Sequence, residues 1–211
     1  MSRPTPLSAE EFAREADVSR ETLGRLQRYE AVLRHWQKAI NLVSTASLED
    51  LWRRHMLDSA QVFPLLPEVT RTLLDIGSGA GFPGLVLALM GVPEVHLVES
   101  DARKSAFLLE VLRQSTPELL GQVHVHSRRV EAMAPFPVDV VTARACAPLP
   151  ELLELSEPFL RPDSICLFLK GAQADAELTA AAKGWKMEIE RIPSRSESKG
   201  AVLRLAHVSR R

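Results

Sequence analysis

The chain has 211 residues, 45% apolar and 25% charged, with a formal net charge of −1. That is the make-up of a globular protein with one sizeable core. It excludes a bilayer-spanning helix, because no window approaches the roughly 18 apolar residues one needs, and it gives no support to a uniformly basic polyanion binder.

The start, MSRPTPLSAEEFAREAD, has no apolar signal core, so secretion is not expected. Ser8 and Glu11 have the S-x-x-E spacing of a capping box. Leu23, Leu26, Leu33, Trp36 and Ile40 then recur on one face of a helix. Ser47 and Asp50 are candidate caps for a further helix, LWRRHMLDSAQVF, ending at Pro64. Within it Arg54 and Asp58 are four apart and suited to pair. Trp36 and Trp52 are expected to pack this helical segment against a sheet formed by the rest of the chain.

From residue 72 the rhythm changes. TLLDI reads as a strand, and a glycine-rich loop follows. Pro83 reads as a first helical residue, then LVLALM as a helix. EVHLVE (94–99) is a second strand and ARKSAFLLEVLRQ (102–114) a helix, for which Asp101 is a candidate cap. QVHVH (122–126), VDVVTA (138–143) and SICLFLK (164–170) are the next strands. WKMEIERI (185–192) and AVLRLA (201–206) form a closing pair around the polar PSRSESKG. His124 and His126 share a strand face and are read as structural, with no metal expected. Alternating strands and helices imply right-handed crossovers and a mostly parallel sheet covered on both faces. The expected fold is therefore α/β, seven-stranded and Rossmann-like. Residues 1–66 form a helical segment packed on a core of residues 67–211.

The loop LLDIGSGAGFPGL (73–85) sits at the carboxyl end of the first strand, where open α/β sheets bind ligands. Gly79 and Gly84 have the outer spacing of a phosphate P-loop, but Leu85 and Val86 stand where its lysine and hydroxyl belong. Gly79, Gly81 and Gly84 also fit the dinucleotide pattern G-x-G-x-x-G. Asp75, Gly77, Gly79 and Gly81 spell D-x-G-x-G-x-G, with Glu99 ending the second strand, as an S-adenosylmethionine site would. Pro83 removes an amide that a pyrophosphate would use, and Asp75 adds an anion. Both suit a cationic methyl donor better than a polyphosphate. Glu99 would then accept from ribose hydroxyls.

The acceptor is signalled after the fourth strand, at TARACAPLPE. No Asn/Asp-Pro-Pro-aromatic tetrapeptide for amino-group methylation occurs there. Cys146 lacks the Pro-Cys setting of a nucleophile, although Arg144 nearby could depress its pKa. The two cysteines have no C-x-x-C spacing, so free thiols in a reducing cytoplasm are the simple reading. Nitrogen-7 of guanine carries no proton and needs no base, only orientation; this fits a chain with no obvious acid–base constellation.

NLVS (41–44), RHMLDS (54–59), DIGSGAGFPG (75–84), VES (98–100), RVEAM (129–133) and TARACAPL (142–149) resemble, in order and spacing, the RsmG (GidB) family of bacterial methyltransferases. The resemblance implies methyl transfer from S-adenosylmethionine to nitrogen-7 of one guanine in the 530 loop of 16S rRNA. It also implies donor contacts at Gly77 and Phe82, at Val130 and Glu131, and at Arg144. Arg144 would position the donor or the RNA rather than move a proton. Cys146 departs from the small or apolar residue expected. The implied partner is 16S rRNA or the small subunit, met by a monomer without metal or membrane. Dispersed basic residues, among them Arg28, Arg34, Arg53, Arg54, Arg129, Arg195 and Arg210, are candidate phosphate contacts. Residues 182–211 carry eight Lys/Arg against three Asp/Glu. A small-molecule methyltransferase and a non-catalytic dinucleotide-binding protein remain the rival functions.

Overall fold

The computed structural model describes residues 5–211, so the first four residues of the chain lie outside it. The N-terminal segment is helical: α1 (Ala9–Glu15), α2 (Arg20–Trp36), a short α3 (Thr45–Leu48), then a π-helical stretch Trp52–Leu57 running into α4 (Asp58–Ala60). The core follows as β1 (Thr72–Ile76), α5 (Gly84–Met90), β2 (Glu94–Glu99), α6 (Ala102–Ser115), β3 (Val123–Ser127), β4 (Val138–Arg144), α7 (Leu149–Ser156), β5 (Leu160–Lys170), α8 (Ala174–Ala181), β6 (Trp185–Pro193) and β7 (Ala201–Arg210).

The seven strands form one sheet in the order β3-β2-β1-β4-β5-β7-β6. The first five are parallel; β7 runs antiparallel to β5 and β6. Strand order reverses between β1 and β4, so their carboxyl ends open a crevice there. Successive side chains go to opposite faces. Leu73, Val95, Leu97 and Val140 join α2, α5 and α6 in one core, while Leu74, Val98, Val141 and Phe168 join α7 and α8 in another. That is why these strands read as unbroken apolar runs.

The helical segment is locked to the first core by aromatic rings. Trp36 meets Phe107 at 5.9 Å and Tyr29 meets it at 6.3 Å; within the segment itself Phe12 meets Trp52 at 5.1 Å, and the Trp52 indole donates to Glu30 at 2.8 Å. The capping box at Ser8 and Glu11 is formed, and Asp101 caps α6 through the amides of Arg103 and Lys104.

Several local expectations differ. Pro83 precedes α5 at its cap position. Neither Ser47 nor Asp50 caps the stretch Trp52–Leu57, which has no side-chain cap; Ser47 lies inside α3, itself capped by Ser44. Asp50 instead accepts from the Leu7 amide at 2.8 Å and pairs with Arg53 at 3.0 Å, pinning the N-terminal chain. Arg54 and Asp58 do not pair. The wider π turn brings residues five apart into line, so side chains four apart splay. Arg54 turns to Glu197 at 3.5 Å and Asp58 to Arg144 at 3.3 Å.

Candidate functional site

A cavity of about 940 Å³ opens over the carboxyl ends of β1 and β4. Gly77, Gly79, Phe82, Glu99 and Arg144 line it, with Arg54, His55, Asp58, Lys104, Arg129 and Cys146. Val130 and Glu131 follow Arg129 in a short turn and do not line it; Val130 is buried in the second core. Gly81 points away, where a Cβ would strike the Tyr29 hydroxyl at 2.8 Å. Asp75 does not line it either. It is fully buried beneath the loop, its Oδ1 accepting from Thr142 at 2.7 Å. Asp75 is one residue short of the end of β1, whereas Glu99 and Arg144, which do reach the crevice, are the last residues of β2 and β4.

The loop holds itself together with its own amides. Ser78 donates to the Val98 carbonyl at 3.0 Å, Gly79 to Glu99 Oε2 at 2.9 Å, and Gly81 and Phe82 to the Ser78 carbonyl. Glu99 Oε1 accepts from the Asp101 amide at 2.7 Å. A carboxylate has about four lone-pair sites, so roughly two remain for other donors. Gly77 needs its missing side chain: its φ is +68°, and a Cβ there would lie 2.4 Å from Cys146 Sγ. Gly84 is equally constrained, a Cβ falling 2.6 Å from Asp75 and from Leu97.

Arg144, at the end of β4, ties the crevice to the helical segment. Its guanidinium donates to the Arg54 carbonyl at 3.1 Å, pairs with Asp58, meets His55 Nδ1 at 2.7 Å and lies 5.0 Å over the Phe82 ring. An arginine can only donate, so His55 Nδ1 accepts and its proton sits on Nε2, which donates to Ser47 Oγ at 2.8 Å. His55 also stacks on Phe82 at 4.8 Å, and Tyr29 on the same ring at 5.5 Å. The Tyr29 hydroxyl donates to the Ala80 carbonyl, bracing the loop from below. Tyr29 is the chain's single tyrosine, on the buried face of α2. A hydroxyl on an apolar helix face needs an acceptor, a signal that the sequence carries without saying where the acceptor is.

Cys146 faces the cavity, but burial raises its thiol pKa and the carboxylates of Asp75, Glu99 and Glu151 raise it further. Arg144 points instead toward His55 and Asp58, so it gives the thiol no help, and a thiolate nucleophile is disfavoured. Cys166 is sealed in the second core and pushed up to about 12. Lys170, nearly buried, donates to the Ala147 carbonyl at 2.6 Å and pairs with Glu177 at 2.8 Å; Glu177 accepts from the Leu149 amide. Together they fix the loop after β4, a linkage between residues distant in sequence.

Two buried groups make stability depend on pH with opposite signs. Burial first, then Arg144 and Arg54, hold His55 down to about 3. The unfolded chain takes that proton below about pH 6.5, so stability falls as pH drops from there toward 3, by up to about 1.4 kcal/mol per unit. Burial raises Asp75 to about 6 against hydrogen bonds from Thr142 and Ser78. Its folded carboxyl keeps a proton that the unfolded chain loses above about pH 4, so its contribution is present in acid and lost as pH rises toward about 6. The two oppose each other between about pH 4 and 6. Asp75→Asn is therefore expected to lose urea resistance more steeply than the wild type as pH falls from 6.5 to 4. Parallel curves for the two proteins would refute the opposition.

Sheet order and loop position define the class: a Rossmann-like, class I methyltransferase fold. The mitomycin 7-O-methyltransferase MmcR superposes with a TM-score of 0.59 at 14% identity, covering 97% of this chain and 73% of that one. TYW2 of M. jannaschii, solved in complex with AdoMet, superposes with a TM-score of 0.55 at 16% identity, covering 82% and 80%. The chain belongs to the GidB family, rRNA small subunit methyltransferase G, whose sequence profile matches residues 22–201. It is 54% identical to the ribosomal RNA small subunit methyltransferase G of Rhodospirillum rubrum over 204 residues, 97% of this chain and 100% of that one. To the protein of the same name from Parvibaculum lavamentivorans it is 48% identical over 209 residues, 96% and 90% of the two chains.

Proposed function

We propose that this protein, an S-adenosylmethionine-dependent rRNA methyltransferase by family, methylates nitrogen-7 of a single guanine in the 530 loop of 16S rRNA. One observation carries the choice of donor. The loop amides that a pyrophosphate would need are already given to Val98, Ser78 and Glu99, and the last of these is an anion. A polyphosphate would meet a carboxylate where it needs donors. A ligand with hydroxyls and a positive charge would meet free lone pairs.

S-adenosylmethionine supplies, when bound, a methyl group activated by a sulfonium. The residues present fit it: Gly77 and Gly79 leave backbone-close space, Glu99 offers acceptors to ribose hydroxyls, and Phe82 gives a flat wall. Gly81 acts through Tyr29, Asp75 through the loop it underpins, and Val130 and Glu131 by setting the turn that carries Arg129 to the cavity. Arg144 positions Phe82, His55 and Asp58 around the acceptor. Three acid–base groups at the cavity are committed elsewhere, and Glu99 is reserved for the donor's ribose. His55 has both nitrogens engaged, Asp58 is held by Arg144 and Ser196, and Glu177 by Lys170. A lone-pair nitrogen such as guanine nitrogen-7 needs none of them. Orientation alone supplies about 7–11 kcal/mol of a barrier.

Of the dispersed basic residues, Arg28, Arg34, Arg53, Arg195 and Arg210 are tied to Ser115, Glu30, Asp50, Glu15 and Glu157. We assign RNA contact to the cavity rim instead, to Lys104 and Arg129, with Arg54 beside them exchanging its Glu197 partner for a phosphate. Recognition there goes by shape and backbone, with one unstacked base entering the cavity. The same reading keeps residues 1–66 as a helical cover on the core of residues 67–211, and places a monomer in the cytoplasm. Among the described residues no helix is long and apolar enough to cross a membrane.

The test is direct. Nitrogen-7 methylation mapped along 16S rRNA should show one 530-loop guanine modified in cells with this protein and unmodified without it. Calorimetry should show saturable binding of S-adenosylmethionine and none of NAD. Methylation of small metabolites but not of ribosomal RNA would leave the fold and replace the function.

A further inference from the structure

Three of the six histidines, His96, His124 and His126, gather on one face of β2 and β3. Glu94 and His96 lie on β2 and His124 on β3. In the parallel register His96 stands directly opposite His124, so these side chains share one sheet face. Glu94 Oε1 is 3.3 Å from His96 Nε2 and 3.4 Å from His124 Nε2, and the three ligand atoms lie within 4.8 Å of one another. Ligands about 2.0–2.1 Å from a tetrahedral ion stand about 3.4 Å apart, so two of the three edges already have that length.

On the far side of the same ring, His96 Nδ1 is 3.0 Å from His126 Nε2. Metal-bound imidazoles use their other N–H in this way, which fixes the tautomer and leaves Nε2 bare. With that tautomer, the Nε2 lone pair of His96 faces the Glu94 carboxylate, the His124 ring stacks alongside at 4.8 Å with its own Nε2 near the same oxygen, and a cation between them satisfies all three. The opposite tautomer, Nε2–H donated to Glu94, would give a hydrogen-bonded cluster without metal affinity. Phe136 packs on His96 at 4.5 Å and shields one side, while the Glu94 side chain is exposed and His124 half-buried, so an ion has access.

We propose that Glu94, His96 and His124, with His126 orienting His96, form a binding site for a divalent transition-metal ion of the zinc type. Two imidazoles and one carboxylate suit zinc, cobalt or nickel and are poor ligands for magnesium or calcium. The site departs from the expectation of no metal because His96 joins the pair His124 and His126 only through strand pairing. It is separate from the cavity: Glu94 begins β2 and Glu99 ends it, about 16 Å apart at the rise of a strand. An ion there would clip β3, the edge strand, to β2.

Zinc is titrated calorimetrically into the full chain, free of any affinity tag, and melting is followed in parallel. The expected result is one equivalent bound and a melting temperature that rises with zinc concentration. His124→Gln and Glu94→Gln should each weaken binding by 100-fold or more. His126→Gln should weaken it about 10–100-fold. His35→Gln should leave binding as it is, and methylation of ribosomal RNA should be unchanged in all four variants. No saturable zinc binding by the wild type, or binding that survives both His124→Gln and Glu94→Gln, overturns the proposal.

Discussion

Arg144→Ala is expected to lower methyl transfer by about 100-fold or more while the protein still folds. The residue joins two parts of the site that lie far from it in the chain: the segment running from the π-helical stretch into α4, through the Arg54 carbonyl, His55 and Asp58, and the Phe82 ring of the glycine loop. Its removal leaves His55 Nδ1 without a donor and frees the Phe82 wall to move. Displacements of about 1 Å in a positioned site cost about 100-fold in rate. Stability should fall by about 2–3 kcal/mol, less than for an isolated buried pair, because Asp58 keeps Ser196 and Gln61 as partners. Arg144→Lys keeps the charge but not the planar fork or the stacking. It should recover more stability than activity. The measurements are single-turnover methylation of small-subunit RNA and the urea midpoint. Full activity in Arg144→Ala would remove this residue from the site altogether.

Gly77→Ala carries the second large effect, for two separable reasons. The backbone there is left-handed, which disfavours any residue with a Cβ by about 1–2 kcal/mol. The new carbon would also lie 2.4 Å from Cys146 Sγ and 2.9 Å from its Cβ, so the loop after β4 must shift. Donor affinity should drop by about 100-fold, because both walls of the crevice move. Cys146→Gly in the same chain deletes the two opposing atoms. It should return the part of the loss that comes from overlap and leave the backbone part. Calorimetry with S-adenosylmethionine and a denaturation series on the three variants complete the cycle. A double variant no better than Gly77→Ala would show that crowding against Cys146 is not the cause.

Cys146 also shows how the sequence and the structure divide the work. In the chain it is a departure from a family pattern at TARACAPL. In space it is the neighbour of Gly77, 69 positions away by numbering. The glycine was legible as a position requiring an unusual backbone; what it makes room for was not. His55 was legible as part of the RHMLDS motif, a candidate to line the entrance of the site beside Arg53 and Arg54, but without its partners. Its place between Arg144 and Phe82 depends on the π turn, which no periodicity announces. Asp75 was legible as an acid at the head of the loop, yet the strand carries it inward to Thr142 rather than outward to a ligand. β7 runs four residues past the apolar run that signals it because β6 goes on pairing with it as far as Trp185 and Arg210, and β5 starts four residues early, at Leu160, which pairs with Val138 ahead of a bulge.

By itself the sequence determined the order and type of the seven strands, the glycine loop after the first of them and the acid closing the second. These follow from apolar periodicity and from backbone conformations that only certain residues allow, both local properties. Only the tertiary structure decided which side chains meet: Arg144 with His55 and Asp58, Gly77 with Cys146, Tyr29 with the loop, and His96 with His124. Each of those contacts joins segments that are remote in the chain. Their distances are set by how strands pair and helices pack, not by the residues next to them.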